Sequence, residues 1–266
     1  MEQVVWITGA SSGIGKHMAL VYASQGATVA VSARRMDLLE ALADEIARSG
    51  GKARAFYCDV EKEESISQCV EDIIAAFGRL DIAVANAGCG VVGYLSTLSG
   101  AEWDRQLRIN ITGLALTVKY ALPELRKTRG RLALVGSVAA YVPNPLIGAY
   151  GATKAAVHNI GETLQIELQG TGVSCTTIHP GFVDSDITRV DNNGVFHPDA
   201  KDPRPAQFMW PTDKAARVMV KAIAQRRKVY VFTGLGKVMV FLGRFFPGIA
   251  RVMAAKQIQA IEQSTE

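Results

Sequence analysis

Between Lys214 and Ile261 the chain carries ten Lys and Arg residues and no Asp or Glu. The remainder holds 19 basic and 25 acidic residues, so the overall net charge of +4 hides an acidic body with a basic, apolar C-terminal part. Cysteine is also scarce. Cys58, Cys69, Cys89 and Cys175 form no C-x-x-C pair and have no histidine at zinc-ligand spacing. They read as reduced, buried, small apolar residues, which suits a cytoplasmic protein. His17, His158, His179 and His197 are scattered, so no metal site is expected. No apolar run approaches the roughly 18 residues of a membrane span. Val4-Val5-Trp6-Ile7 already reads as a strand, so no leader peptide is expected. A chain that is 48% hydrophobic and 20% charged, without repeats or low-complexity linkers, is expected to fold around one core.

What is present is an alternation of strand-like and helical runs. Strands are expected at Val4–Thr8, Thr28–Ala33, Ala53–Tyr57, Ile82–Asn86, Arg131–Gly136, Val173–Ile178 and Lys228–Phe232. Helices are expected near Ile14–Gln25, Leu38–Arg48, Glu63–Phe77, Trp103–Lys127, around Tyr150, and at Lys214–Arg226. This order predicts an α/β fold: a Rossmann-type, doubly wound parallel sheet of about seven strands, covered on both faces. Residues 1–233 would make the dinucleotide-binding and catalytic domain. Residues 234–266 would be a helical extension packed on it.

The first strand ends in Thr8-Gly9-Ala10-Ser11-Ser12-Gly13-Ile14-Gly15 and opens a helix. Gly9, Gly13 and Gly15 permit a tight turn and close approach of a pyrophosphate, which the helix N-terminus would attract. About twenty residues on, an acid would hold the ribose hydroxyls of NAD. Here the strand ends in Ser32-Ala33-Arg34-Arg35. Two guanidiniums suit a 2′-phosphate, so NADP(H) is expected over NAD(H), with Ser11 adding a hydroxyl. Asp59 follows the third strand and would either meet an adenine amino group or cap the helix near Glu63. Asn86-Ala87-Gly88 follows the fourth; its small residues allow cofactor past the backbone, and Asn86 can tie strand ends together. Asn110, between β-branched neighbours, is a poor helix residue and marks a place where a helix would distort.

Tyr150 and Lys154 lie four residues apart, on one face if the segment is helical, and Ser137 precedes Tyr150 by thirteen. A free tyrosine, with a pKa of about 10, exchanges protons poorly at neutral pH. A fixed ammonium beside it favours the phenolate. A serine hydroxyl would hold the substrate oxygen near the phenol.

In order and spacing, residues 4 to 190 resemble the short-chain dehydrogenase/reductase family, in its short single-domain branch. Thr8–Gly15 is similar to that family's cofactor loop and Asp59 to its adenine-contacting acid. Asn86–Gly88 is similar to its Asn-Ala-Gly motif, and Pro180-Gly181 to its turn beside the nicotinamide. Asn110, Ser137, Tyr150 and Lys154 resemble its catalytic tetrad. The resemblance implies a cofactor wall of Gly9, Ser11, Ser12, Gly13, Ile14, Gly15, Arg34, Arg35, Asp59, Val60, Asn86, Ala87, Gly88, Tyr150, Lys154, Pro180, Gly181, Val183 and Ser185. The family's carboxamide-binding threonine is replaced by Ser185, with Thr188 three residues on. The resemblance further implies that Ser137 and Tyr150 bind a carbonyl or alcohol oxygen. Tyr150 would pass the proton, Lys154 would lower the Tyr150 pKa and hold the nicotinamide ribose, and Asn110 would support a linking water. It also implies a homodimer or homotetramer formed through the long Trp103 and Tyr150 helices.

Residues 182–212 are expected to form a lid. Phe182, Phe196, Phe208, Met209 and Trp210 would either line an apolar pocket or dock the loop. Residues 234–259 mix apolar runs with Lys237, Arg244, Arg251 and Lys256. They would pack on the core or across a dimer, lie on an anionic membrane surface, or close over the substrate. An NADP(H)-dependent hydride-transferring enzyme for a fairly apolar carbonyl or secondary alcohol is the leading reading. A sensor or membrane-associated scaffold without turnover is its rival. Nucleic acid is not an expected partner, because the basic stretch carries no aromatic platform arranged with its charges.

Overall fold

The computed structural model describes residues 2–263. Seven parallel strands form one sheet in the order β3-β2-β1-β4-β5-β6-β7. They are β1 (Val4–Thr8), β2 (Thr28–Ala33), β3 (Lys52–Tyr57), β4 (Ile82–Ala85), β5 (Arg131–Val135), β6 (Ser174–His179) and β7 (Val229–Val231). The expected strands are all present, with ends shifted by a residue or two. β1 and β4 are buried along their whole length, as strands covered on both faces must be.

Helices α1 (Gly13–Ser24), α2 (Met36–Arg48) and α7 (Thr212–Ala224) cover one face. There Val5, Ile7, Met18, Leu39, Ile46, Met219 and Ile223 pack into one core cluster. Helices α3 (Glu63–Phe77), α5 (Gly113–Thr128) and α6 (Gly148–Glu167) cover the other, around Trp6, Ile66, Ile73, Leu125, Leu132 and Leu134. The strand order reverses between β1, which pairs with β2, and β4, which continues toward β5. Ligands of such sheets bind in the crevice beyond the carboxyl ends of the strands at that reversal.

The single helix expected over Trp103–Lys127 is corrected by the structure. It is three pieces: α4 (Gly100–Leu107), a π-helical turn over Arg108–Thr112, and α5. Ser99 starts α4 with a capping box, its hydroxyl accepting the Glu102 N–H while Glu102 accepts the Ser99 N–H. In the π turn the Gly113 N–H reaches the carbonyl of Arg108, five residues back. Asn110 sits inside that turn, the distortion its sequence context suggested. Residues beyond 233 form two more helices, α8 (Gly234–Phe245) and α9 (Pro247–Gln263).

Candidate active site

A cleft of about 350 Å³ runs along the carboxyl ends of the strands. At one end stand Arg34, Arg35 and the glycine loop; at the other stand Ser137, Tyr150 and Lys154. The loop has its shape because of what its residues lack. Gly9 has φ +65°, and a Cβ there would lie 2.8 Å from the Ala87 Cα. Ala87 is part of Asn86-Ala87-Gly88, so two of the recognised motifs touch backbone to backbone. Asn86 locks them: its Nδ2 donates to the carbonyls of Thr8 (2.9 Å) and Gly9 (3.2 Å). Its N–H donates to the Thr8 hydroxyl at 3.1 Å. Among the described residues the first turn of α1 carries no acid, so its N–H groups face the cleft without a carboxylate of their own.

The two arginines separate. Arg35 reaches over the glycine loop, its Nη2 donating to Ser11 Oγ (2.9 Å) and Ser12 Oγ (3.3 Å). Arg34 pairs with Glu61 at 3.0 Å and remains 54% exposed. Asp59 also lines the cleft, and its Oδ1 accepts the Glu61 N–H in a turn at 3.2 Å. It does not cap α3, whose N-cap residue is Lys62. Ser12, Ile14, Val60, Gly88, Pro180, Gly181, Val183 and Ser185 are all on the cleft wall. Ser185 is on that wall and Thr188 is not, which separates two hydroxyls the sequence could not.

At the other end, Ser137 follows β5 and Tyr150 and Lys154 project from the start of α6. Ser137 Oγ accepts the Ala139 N–H at 3.2 Å, which leaves its own proton free to donate. Lys154 is buried, and its Nζ donates to the Val135 carbonyl at 2.9 Å. Burial pulls the ammonium down to about 8. Burial also raises the Tyr150 phenol, with the Ser137 hydroxyl acting against it. Lys154 is expected to lower the Tyr150 pKa; in the fold, desolvation is the leading influence on both groups. Lys154 Nζ lies 5.5 Å from the Tyr150 ring centre, near enough to act and not hydrogen-bonded to it.

Asn110 is one step behind the wall, where its neighbour Ile109 stands. Its Oδ1 accepts the Cys89 N–H (2.9 Å), and its Nδ2 donates to the Cys89 carbonyl and to Thr153 Oγ1 (both 3.0 Å). Its side chain thus ties the segment after β4 to α6, leaving any water-holding to the backbone of the π turn. Gln106, one turn earlier, ties the same segment to α4, accepting the Val91 N–H (2.7 Å) and donating to Cys89 O (3.0 Å). Sequence reasoning missed Gln106 and Thr153, whose only signal is polarity at buried helical positions. It also missed Arg105 and Arg204 on the cleft wall. Arg204 holds the lid, donating to Val183 O (3.0 Å) and Ser185 O (3.3 Å) while paired with Asp202. Of the five large apolar lid residues, only Phe196 reaches the cleft. Phe182, Phe208, Met209 and Trp210 line a separate cavity beside α7 and α8. Cys89 lines the cleft, but burial pushes its thiol up, so it supplies no nucleophile.

A family model described as short chain dehydrogenase matches residues 3–195. The chain belongs to the short chain dehydrogenase family. Its fold is the one shared by solved members of that family. Among its relatives is 11-beta-hydroxysteroid dehydrogenase 1A of Arabidopsis thaliana, 39% identical over 190 residues, which are 70% of this chain. The match is 54% of the plant protein, so the chain spans about half the length of that relative. A short chain dehydrogenase/reductase from Burkholderia phymatum, solved with NAD, shares the fold at 24% identity. It has a TM-score of 0.82 over 91% of this chain and 92% of that one. An alcohol dehydrogenase from the archaeon Thermococcus sibiricus, solved with 5-hydroxy-NADP, is 28% identical. Its TM-score is 0.77 over 89% of this chain and 98% of that one. Both forms of the dinucleotide thus occur among proteins similar to this chain.

Proposed function

We propose that this chain uses NADP(H) to interconvert a carbonyl and a secondary alcohol on a fairly apolar substrate. The observation carrying this reading is the convergence of Ser137, Tyr150 and Lys154 on the cleft that also holds the glycine loop and Arg35. The residues present fit a dinucleotide. Gly9 opens backbone space beside Ala87, and the α1 N-terminus offers N–H groups where a pyrophosphate would lie. Arg35, Ser11 and Ser12 make a cationic cluster suited to a 2′-phosphate, while Arg34 pairs with Glu61, an acid on the same wall. When bound, the nicotinamide supplies or accepts a hydride at the substrate carbon.

The chain's own residues handle the oxygen and its proton. Ser137, its lone pair held by the Ala139 N–H, donates to the substrate oxygen and stabilises charge developing there. Tyr150 gives its proton to that oxygen on reduction and takes it back on oxidation. Lys154, held by the Val135 carbonyl, keeps a cation 5.5 Å from the phenol ring and stabilises the phenolate left behind. The substrate end of the cleft is bordered by Ile109, Ile187, Val190 and Phe196, which favours apolar groups beside the reacting carbon. The test is oxidation of NADPH against ketones and aldehydes graded from small and polar to large and apolar, beside NADH controls. Turnover rising with apolar size, with NADPH preferred, is expected. Turnover carried equally by NADH would remove the 2′-phosphate reading, and no turnover while NADPH binds would remove the enzymatic one.

A further inference from the structure

On α8 the large side chains Leu235, Val238, Phe241 and Phe245 fall at three- and four-residue steps, so they form one stripe down the helix. All four are exposed, Phe245 by 61%. The opposite side of α8 is the packed one. A Cβ on Gly243 would run into the Tyr141 carbonyl, and one on Gly236 would lie 3.0 Å from Val138, so this side rests against the turn after Ser137. The stripe therefore faces away from the body. α9 continues it after a 120° bend, with Ile249, Val252 and Met253 more than half exposed and Ala250 buried beneath. Phe241 stacks at 5.2 Å on Phe245 and 5.8 Å on Phe246, so an aromatic cluster marks the elbow. Exposed apolar surface of this continuity is rare on soluble monomers and calls for an occupant.

The charges choose between occupants. Lys237 and Arg244, seven residues apart, share one edge of the α8 stripe, and Lys256 is exposed on α9. No acid occurs anywhere from Lys214 to Ile261. With no acid on this segment, a second copy meeting it through the same face would offer these cations no carboxylate to pair with, which disfavours a self-complementary contact. Among the described residues no single helix is long and apolar enough to cross a bilayer, and the bend divides the pair. An apolar stripe edged by cations, on short helices joined at an angle, fits the plane of an anionic lipid surface.

We propose that the α8–α9 elbow seats this protein on an anionic bilayer, with the Phe241, Phe245 and Phe246 cluster in the acyl boundary and Lys237 and Arg244 among the headgroups. The seat has a consequence for access. An apolar groove of about 820 Å³ lies between α9, through Arg251 and Ala254, and the segment after Ser137, through Tyr141, Pro143 and Leu146. Docking sets that groove at the lipid surface.

The experiment is co-sedimentation with phosphatidylcholine vesicles carrying about one third phosphatidylserine, beside pure phosphatidylcholine vesicles, across a salt series; it reads binding without turnover, so it stands apart from the catalytic proposal. The wild type is expected to pellet with the anionic vesicles, weakly or not at all with neutral ones, and less as salt rises. Neutralising the K237Q/R244Q pair is expected to weaken binding about thirtyfold, near 1 kcal/mol per cation lost. F245S is expected to weaken it at least tenfold while cofactor binding stays unchanged. Absence of wild-type binding to anionic vesicles overturns the proposal even if a variant fails to fold. So does equal binding to both vesicle types at every salt concentration. A dimer that F245S converts to monomer, with no vesicle binding, overturns it in favour of a second copy.

Discussion

The two ends of the cleft are built on opposite principles. At the glycine loop the charged groups are accessible. Arg34 is 54% exposed, Arg35 leans on two serine hydroxyls, and the shape comes from missing side chains. Around Tyr150 the groups are withdrawn from water: Lys154 and His179 are buried and both titrate below their ordinary ranges. His179, the last residue of β6, lies behind Ser137 with its Nδ1 2.9 Å from the Ser137 carbonyl. The difference teaches a division of labour. The exposed end can select a cofactor by charge at little cost in stability. At the dry end desolvation shifts the titrating groups, and that cost is expected to appear in folding.

The largest test of this contrast is Tyr150→Phe, which removes the proton donor and leaves the ring. Turnover is expected to fall roughly 1000-fold with cofactor affinity retained. Full activity in steady-state assays would mean that the dry end does no acid chemistry. Next comes the folding cost. Burial lowers His179 from 6.5 to about 4, so the unfolded chain binds a proton across that window and the folded protein does not. Stability is therefore expected to be intact above pH 6.5 and to fall as the pH drops toward 4, by on the order of 3 kcal/mol from this group. Urea unfolding of the wild type and His179→Asn at pH 7 and pH 4.5 checks it; identical slopes with pH would place the acid sensitivity elsewhere.

Lys154 gives a matching effect on the alkaline side. Its folded pKa of about 8 lies below its ordinary 10.5, so the unfolded chain holds more protons between those values. Stability should rise with pH across that range, and Lys154→Met should abolish the rise in denaturant titrations. At the exposed end the effects are smaller and separable. Arg35→Ala is expected to raise the KM for NADPH roughly ten- to hundredfold and to leave that for NADH nearly unchanged. Arg34→Ala, which loses only an exposed pair with Glu61, should stay within about threefold for both cofactors. Reversal of that order would assign the 2′-phosphate to Arg34.

Much of the fold and of the chemistry was legible beforehand because it rests on local patterns. Strand burial on both faces writes continuous apolar runs, as in Val4–Thr8, and a tight βα turn needs glycines at fixed offsets. What escaped was long-range or polar. Gln106, Thr153 and Arg204 matter through partners 15 to 43 positions away, and no periodicity announces them. Phe182, Phe208 and Trp210 were readable as apolar, but not as lining a different cavity from the cleft that Phe196 reaches.

By itself the sequence determined the alternation of strands and helices, the glycine loop and the i, i+4 placement of Tyr150 with Lys154. Each follows from backbone sterics and helix or strand period acting within a few residues. Only the tertiary structure decided that Arg35 reaches over the glycine loop while Arg34 pairs with Glu61. It also decided that Asn110 braces the wall from behind, that burial raises the Tyr150 phenol, and that α8 and α9 turn their apolar stripe outward. Those outcomes depend on which side chains share a dry space, and desolvation is set by neighbours that the chain brings together only when it folds.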